Sequence, residues 1–161
     1  MQTRRALPAD VASVLALNEE SAHFLSPLTL ARLLVLTSQA EAHWVVEDEG
    51  SIVAFLLAFR EASAYDSVNY QWFAERYPSF LYIDRVVVSR AAQGRGLGAL
   101  LYRTVFAHAK ASSVRLIACE FDIEPPNPVS ASFHAKLGFK EVGQQLAGSG
   151  KKLVSLQVAA V

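Results

Sequence analysis

Three glycines fall within five positions, at 94, 96 and 98 of the stretch SRAAQGRGLGALLYR, and run straight into apolar residues at helical spacing. Glycine costs roughly 1 kcal/mol against alanine in a helix interior, so a segment opening on three of them is either a loose loop, a tight strand-to-helix turn, or a place where something comes closer to the backbone than a side chain would allow. The first N–H groups of a helix have no intrahelical acceptor and carry about half a positive charge. Glycines there let an anion reach the backbone, which is the chemistry of phosphate binding. A P-loop is excluded, because no G-x-x-x-x-G-K-[ST] string occurs. The dinucleotide fingerprint G-x-G-x-x-G/A is met by Gly94, Gly96 and Ala99, with Glu120 further on, and would make the chain a Rossmann-like oxidoreductase. That fingerprint should follow its strand directly and open a βαβ sheet, whereas SRAAQ intervenes here. A second pattern, Q/R-x-x-G-x-G/A, is met by Gln93, Gly96 and Gly98.

Other residues can move protons. Asp84 lies in YIDRVVV and Glu120 in VRLIACEF, two β-rich runs, and His134 lies in SFHAK. Carboxylates and imidazole are the usual general acids and bases. Asp84 has the same side-chain parity as Val86 and Val88, and either carboxylate can instead pair with a nearby arginine such as Arg85. Cys119, the only cysteine, sits in an apolar run and reads as a buried inert thiol rather than a nucleophile. His23, His43 and His108 show no ligand spacing, so no metal site is expected.

The elements that would position these groups follow from periodicity and punctuation. MQTRRAL reads as a strand, and Pro8 and Asp10 introduce an amphipathic helix through Val11, Val14, Leu15 and Leu17. SPLTLARLLVLTSQA is a second helix with Thr29 as N-cap. Asp48-Glu49-Gly50 turns a hairpin between two β-rich runs. FLYIDRVVV is a strand whose RVVV end reads as buried on both faces. Leu97, Leu100, Leu101, Val105 and His108 share a helix face, and VRLIACEF is the next strand. NPVSASFHAKLGF is a helix with Asn127 as N-cap, Pro128 in the first turn and Gly138 as its stop. KEVGQQLA and KKLVSLQVAAV close the chain as strands around Gly148-Ser149-Gly150. The order βααβββαβαββ predicts an α/β (α+β) fold with a mixed central sheet and helices on both faces. Residues 61–79 make a long aromatic excursion with Tyr65, Tyr70, Trp72, Phe73 and Tyr77, read either as a substrate wall or as a satellite helix packed on the sheet.

At 161 residues the chain is long enough for one domain with a substantial core, so a single domain over 1–161 is expected. Fifteen basic residues balance fifteen acidic ones, which gives no support to nucleic-acid binding. The first twenty residues do not read as a signal peptide, and nowhere do about 18 apolar residues run together. With a single thiol, the expectation is a soluble cytoplasmic domain with no membrane partner.

The glycine segment after YIDRVVV, together with NPVSASFHAKLGF after the next strand, resembles the GNAT superfamily of acyl-CoA-dependent N-acyltransferases. The likeness covers nearly all the chain, since the order of elements matches too. It implies strands 4 and 5 splayed apart, with pantetheine lying between them like an added strand along Val86, Val87 and Val88. It implies a diphosphate on the N–H groups of Gly94, Arg95, Gly96, Leu97, Gly98 and Ala99, with Gln93 shaping the turn. Asn127, Ser130 and Phe133 fall on the cofactor side. Arg90 and Arg95 become candidates for nucleotide phosphates. The cosubstrate would be acetyl-CoA, and the acceptor a primary amine of a small molecule or an exposed protein amine. The family places a tyrosine acid where this chain has His134. That departure keeps open a module that binds coenzyme A without transferring anything. Catalytic candidates are His134, Asp84 and Glu120. The acceptor wall would come from the first two helices and their joint and from the aromatic excursion, with Asn18, Glu19, Tyr65, Asp66, Tyr70 and Trp72 as candidates. Acidic and aromatic groups there would suit a cationic amine. The last strands offer an edge for a homodimer.

Overall fold

The computed structural model describes residues 1–22 and 25–161; His23 and Phe24 lie outside the described residues. Strand β1 (Gln2–Arg5) leads through a 3-10 turn at Pro8–Asp10 into α1 (Val11–Glu20). Helix α2 (Leu30–Gln39) starts where the Thr29 hydroxyl accepts from the Arg32 N–H at 3.1 Å. Strands β2 (Ala42–Asp48) and β3 (Ser51–Arg60) form the expected hairpin. Glu49 and Gly50 both take positive φ, 48° and 79°, which matches the right-handed twist of a two-residue hairpin.

Helix α3 (Val68–Ala74) precedes β4 (Leu81–Val88), and α4 (Leu97–Ala111) precedes β5 (Leu116–Glu124). Helix α5 (Pro128–Lys136) and strands β6 (Lys140–Ala147) and β7 (Lys152–Ala160) complete the chain. The strand order is β1-β2-β3-β4-β5-β7-β6. β1–β2, β2–β3, β5–β7 and β6–β7 pair antiparallel, while β4–β5 pairs parallel. This mixed sheet is the expected one. Although β4, α4 and β5 form one parallel unit, the antiparallel pairs elsewhere do not match the doubly wound parallel sheet that the Rossmann reading of Gly94, Gly96 and Ala99 implies. The element order departs from the expectation in one place, α3, so the aromatic excursion contains a helix. Among the described residues no helix is long and apolar enough to cross a membrane.

The chain forms two compact units, one of residues 1–59 and 83–107, the other of residues 60–82 and 108–161. In the first, β2 and β3 are buried through Ala42–Val46 and Ala54–Phe59, and Val14, Leu17, Leu33 and Leu36 bring helix side chains into the core. β4 alternates at its end: Arg85 and Val87 are buried, whereas Asp84, Val86 and Val88 are half-buried. Burial of RVVV on both faces is therefore corrected. In the second unit, the parallel β4–β5 ladder holds two pairs among the described residues, Leu81↔Ile117 and Tyr82↔Ala118. Beside it the aromatics cluster, with Tyr70 centroids 5.6 Å from Tyr65 and Tyr82 and 5.7 Å from Phe80. The Tyr70 hydroxyl donates to the Arg60 carbonyl at 2.7 Å and accepts from the Ser63 N–H at 2.9 Å, which pins the start of the excursion.

Gly143 explains where Trp72 goes. A Cβ at 143 would stand 2.6 Å from Trp72 Cζ2 and 3.1 Å from Cη2, so the indole lies against bare backbone at the β6 bulge between Glu141 and Gly143. Arg76 covers the ring at 4.0 Å. Gly143→Ala is expected to destabilise the protein by about 1–3 kcal/mol through overpacking. A urea-denaturation cycle with Trp72→Leu should recover most of that loss.

His43 on β2 meets Phe55 edge-on at 6.0 Å, and its Nε2 is buried without a hydrogen-bond partner among the described residues. Burial pushes its pKa down to about 4, against a smaller opposing pull from Asp10. Between pH 6.5 and about 4 the unfolded chain takes up a proton that the native His43 refuses. Stability is therefore fully present above pH 6.5 and falls as the pH drops through that window. Thermal midpoints across pH 4–7 should decline more steeply in the wild type than in His43→Phe.

Candidate active site

In the first unit the glycine segment is pinned at both ends and exposed in the middle. The Ser89 N–H donates to the Val53 carbonyl at 2.9 Å, and a 3-10 turn at Arg90–Ala92 follows. Ala92 and Leu97 are each 2% exposed, while Gln93, Gly94, Arg95 and Gly96 face solvent. Gly94 and Gly96 both have φ of 77°, and no heavy atom lies within 4 Å of where a Cβ would project. Packing does not demand glycine there. The left-handed backbone does, and it leaves open space beside the chain. The Leu100 N–H donates to the Gly96 carbonyl at 3.0 Å, so the amides of Leu97, Gly98 and Ala99 are those a helix start leaves without intrahelical acceptors.

The flanking side chains are held within this unit. Gln93 Nε2 reaches the Val88 carbonyl at 3.5 Å. Arg95 Nη2 donates to Asp48 Oδ2 at 2.7 Å, and that guanidinium holds the Asp48 carboxyl below its ordinary range. Arg90 donates its backbone N–H to Glu20 Oε2 and its Nη2 to the Glu20 carbonyl, both at 3.1 Å. Both arginines therefore make contacts within the protein itself.

On β4, Arg85 Nε donates to Asp84 Oδ2 at 2.6 Å, the pair anticipated as an alternative to a free base. Arg85 Nη1 donates to Asn18 Oδ1 at 2.9 Å. Asn18, expected on an acceptor wall, is 1% exposed and committed to this network, and Glu19 beside it is exposed.

In the second unit Glu120 Oε1 accepts from the Tyr82 hydroxyl at 2.9 Å and from Asn69 Nδ2 at 3.1 Å. Asn69 Oδ1 in turn accepts from Gln145 Nε2 at 2.8 Å. Tyr65 and Tyr70 are 6% and 2% exposed, so they serve as packing, whereas Asp66 is exposed. Trp72 spends its ring face on the protein's own Arg76. Cys119 is buried and free of disulfide. Among the described residues no three His, Cys, Asp or Glu side chains gather as a metal would require.

Helix α5 fixes His134. Asn127 Oδ1 accepts the Ser130 N–H at 3.1 Å and caps the helix. One turn on, His134 Nδ1 lies 2.8 Å from the Ser130 carbonyl. A carbonyl can only accept, so Nδ1 carries the hydrogen and the neutral ring keeps its lone pair on Nε2. The ring stacks on Phe121 at 5.3 Å and meets Phe133 and Phe139 edge-on at 5.4 and 5.3 Å. Burial pushes the His134 pKa below its ordinary value, partly opposed by the Ser130 bond. An acid needing little tuning was expected; the aromatic surround instead favours the uncharged ring.

Sequence reasoning missed Tyr82, Asn69 and the reach of Arg85, whose partners are distant along the chain. The Ser130–His134 contact was legible, since residues four apart share a helix face.

The sequence pattern described as "Acetyltransferase (GNAT) family" matches residues 12–139. No curated protein sequence matches significantly. Among solved structures, a ribosomal-protein-alanine N-acetyltransferase from Brucella melitensis is 18% identical, with all of both chains covered and a TM-score of 0.77. Ard1 from Thermoplasma volcanium is also 18% identical, over 99% of this chain and 97% of that one, with a TM-score of 0.81. Naa20 from Chaetomium thermophilum, solved with a bisubstrate analogue, is 18% identical over 100% of this chain and 87% of that one, with a TM-score of 0.80. At these identities the likeness shows a shared fold.

Proposed function

Because the chain belongs to the GNAT family of acetyltransferases, we propose that it transfers an acetyl group from acetyl-CoA to a primary amine, by direct attack while both substrates are bound. The acceptor is a small molecule or an exposed protein amine. The observation that carries this reading is the 93–99 loop: left-handed Gly94 and Gly96 with open space beside them, leading into the start of a 15-residue helix. That arrangement fits a diphosphate, which needs backbone donors, positive potential and room. Gly94, Arg95, Gly96, Leu97, Gly98 and Ala99 would hold it through their N–H groups, with the backbone of Val86, Val87 and Val88 along the pantetheine. Asn127, Ser130 and Phe133 act through helix α5, since two of them set the cap and the His134 tautomer and the third packs against its ring. The bound cosubstrate supplies an activated thioester carbonyl.

The proton balance then assigns roles. An ammonium acceptor loses one proton before attack and a second as the amide forms, and the departing thiolate takes up one. Asp84 and Glu120 are the carboxylates proposed for the first proton, which passes on to solvent. His134 takes the second at Nε2 and returns it to the sulfur, so the imidazole begins and ends neutral. A lowered pKa suits this relay, because a ring already charged could not accept. A backbone N–H at Val86 would meet the negative charge growing on the carbonyl oxygen, a fixed dipole that needs no reorganisation. For the acceptor, Glu19 and Asp66 remain the exposed carboxylates that would draw in a cationic amine.

Thiol release from acetyl-CoA, followed across polyamines, α-amino acids and short peptides with free N-termini, tests the proposal. Amine-dependent release is expected. His134→Ala should lower kcat by about 10²–10⁴-fold with the Kd for coenzyme A within threefold of wild type. The wild-type rate should fall on the acid side with an apparent pKa below 6.5, and the variant should lack that limb. Coenzyme A binding without release for any amine would identify a binding module. Binding of nicotinamide dinucleotides in place of coenzyme A would overturn the assignment.

A further inference from the structure

The guanidinium of Arg85 joins three segments of the first unit, and no step of the proposed reaction uses it. Its side chain is 5% exposed, and that of Asp84, its ion-pair partner on β4, is 7% exposed. Nε goes to Asp84 at 2.6 Å, Nη1 to Asn18 Oδ1 in the last turns of α1 at 2.9 Å, and Nη2 to Ser26 Oγ at 3.4 Å. Asn18 closes the circuit by donating Nδ2 to the Ser26 carbonyl at 3.3 Å. A buried ion pair of this kind is weak evidence for stability, since desolvation offsets the attraction and apolar replacements are often as stable. What it does supply is geometry. A planar cation with donors in fixed directions holds three chain segments at set distances, which an ammonium on a flexible stem cannot do.

We infer that Arg85 is a positioning residue that sets the α1–α2 connection against β4, and so governs how the enzyme engages its amine acceptor while leaving coenzyme A binding alone. This inference rests on the acetyltransferase reading, in which that connection belongs to the acceptor wall. Two of its bonds go to the side carrying Glu19 and Ser26, Nη1 to Asn18 and Nη2 to Ser26. The 93–99 loop has fixed points of its own, at Ser89, Ala92 and Leu97. The hub therefore bears first on acceptor geometry, through Asn18 and Ser26, while the diphosphate loop also keeps its own anchors and its contact from Arg90 to Glu20.

The test compares wild type with Arg85→Lys, and with Ser26→Ala, which removes one arm at an exposed residue and spares the buried pair. Steady-state kinetics with the best amine of the panel should show its KM raised at least tenfold in Arg85→Lys and about threefold in Ser26→Ala. The KM for acetyl-CoA and the Kd for coenzyme A should stay within twofold. Amide exchange needs no acceptor: the Leu25 N–H, bonded to the Ser21 carbonyl at 3.1 Å, should exchange faster in both variants, with Gly94–Ala99 unchanged. Equal shifts in both KM values, or Leu25 exchange unaltered in both variants, would overturn the inference. If wild type itself binds no coenzyme A, the functional reading has failed and not this one.

Discussion

A helix start that cannot satisfy its own amides is the constraint around which the first unit is arranged. The N–H groups at the mouth of α4 need acceptors, and Gly96, which precedes the helix, has no side chain to cap them as Thr29 caps α2 and Asn127 caps α5. Instead the approach is made of residues that keep out of the way. Gly94 and Gly96 take a left-handed backbone, and the space beside them is empty of protein. Ala92 and Leu97 are buried on either side, so the loop is held rather than loose. Solvent serves the exposed amides of such a helix start, and in the proposed reading a diphosphate would take its place.

Each unit holds a small, partly buried polar circuit: Arg85 with Asp84, Asn18 and Ser26 in one, Glu120 with Tyr82, Asn69 and Gln145 in the other. Low local dielectric strengthens satisfied bonds and penalises missing ones, so such circuits fix positions more than they add stability. His134 follows the same logic on a smaller scale. One carbonyl four residues back decides which ring nitrogen carries the proton, and burial among three aromatic neighbours favours the neutral ring.

Much of this was legible in the amino-acid order, where a local rule had one solution. Thr29 and Asn127 announce their helices because a cap needs a side-chain oxygen at that place. Glu49-Gly50 announces a hairpin, and the glycines announce an open helix mouth. What stayed hidden depends on partners far apart in the chain. Asn18 looked like a surface polar residue because nothing near it shows that Arg85, 67 positions away, will claim its amide. Tyr70 and Trp72 looked available to a ligand because exposure follows from packing: one is enclosed by Tyr65, Tyr82 and Phe80, the other lies over Gly143. Helix α3 was read only as an option because its apolar residues are aromatics without clear periodicity. The charge state of His134 could not be foreseen, since it follows from burial against Phe121, Phe133 and Phe139.

The most direct measurement is residue-resolved amide chemical shift and exchange for Gly94–Ala99, with and without saturating coenzyme A and with 3′-dephospho-coenzyme A alongside. The account predicts that both ligands shift these amides and slow their exchange, because both carry the diphosphate. Unchanged amides at 94–99 in a protein shown to bind coenzyme A would contradict it.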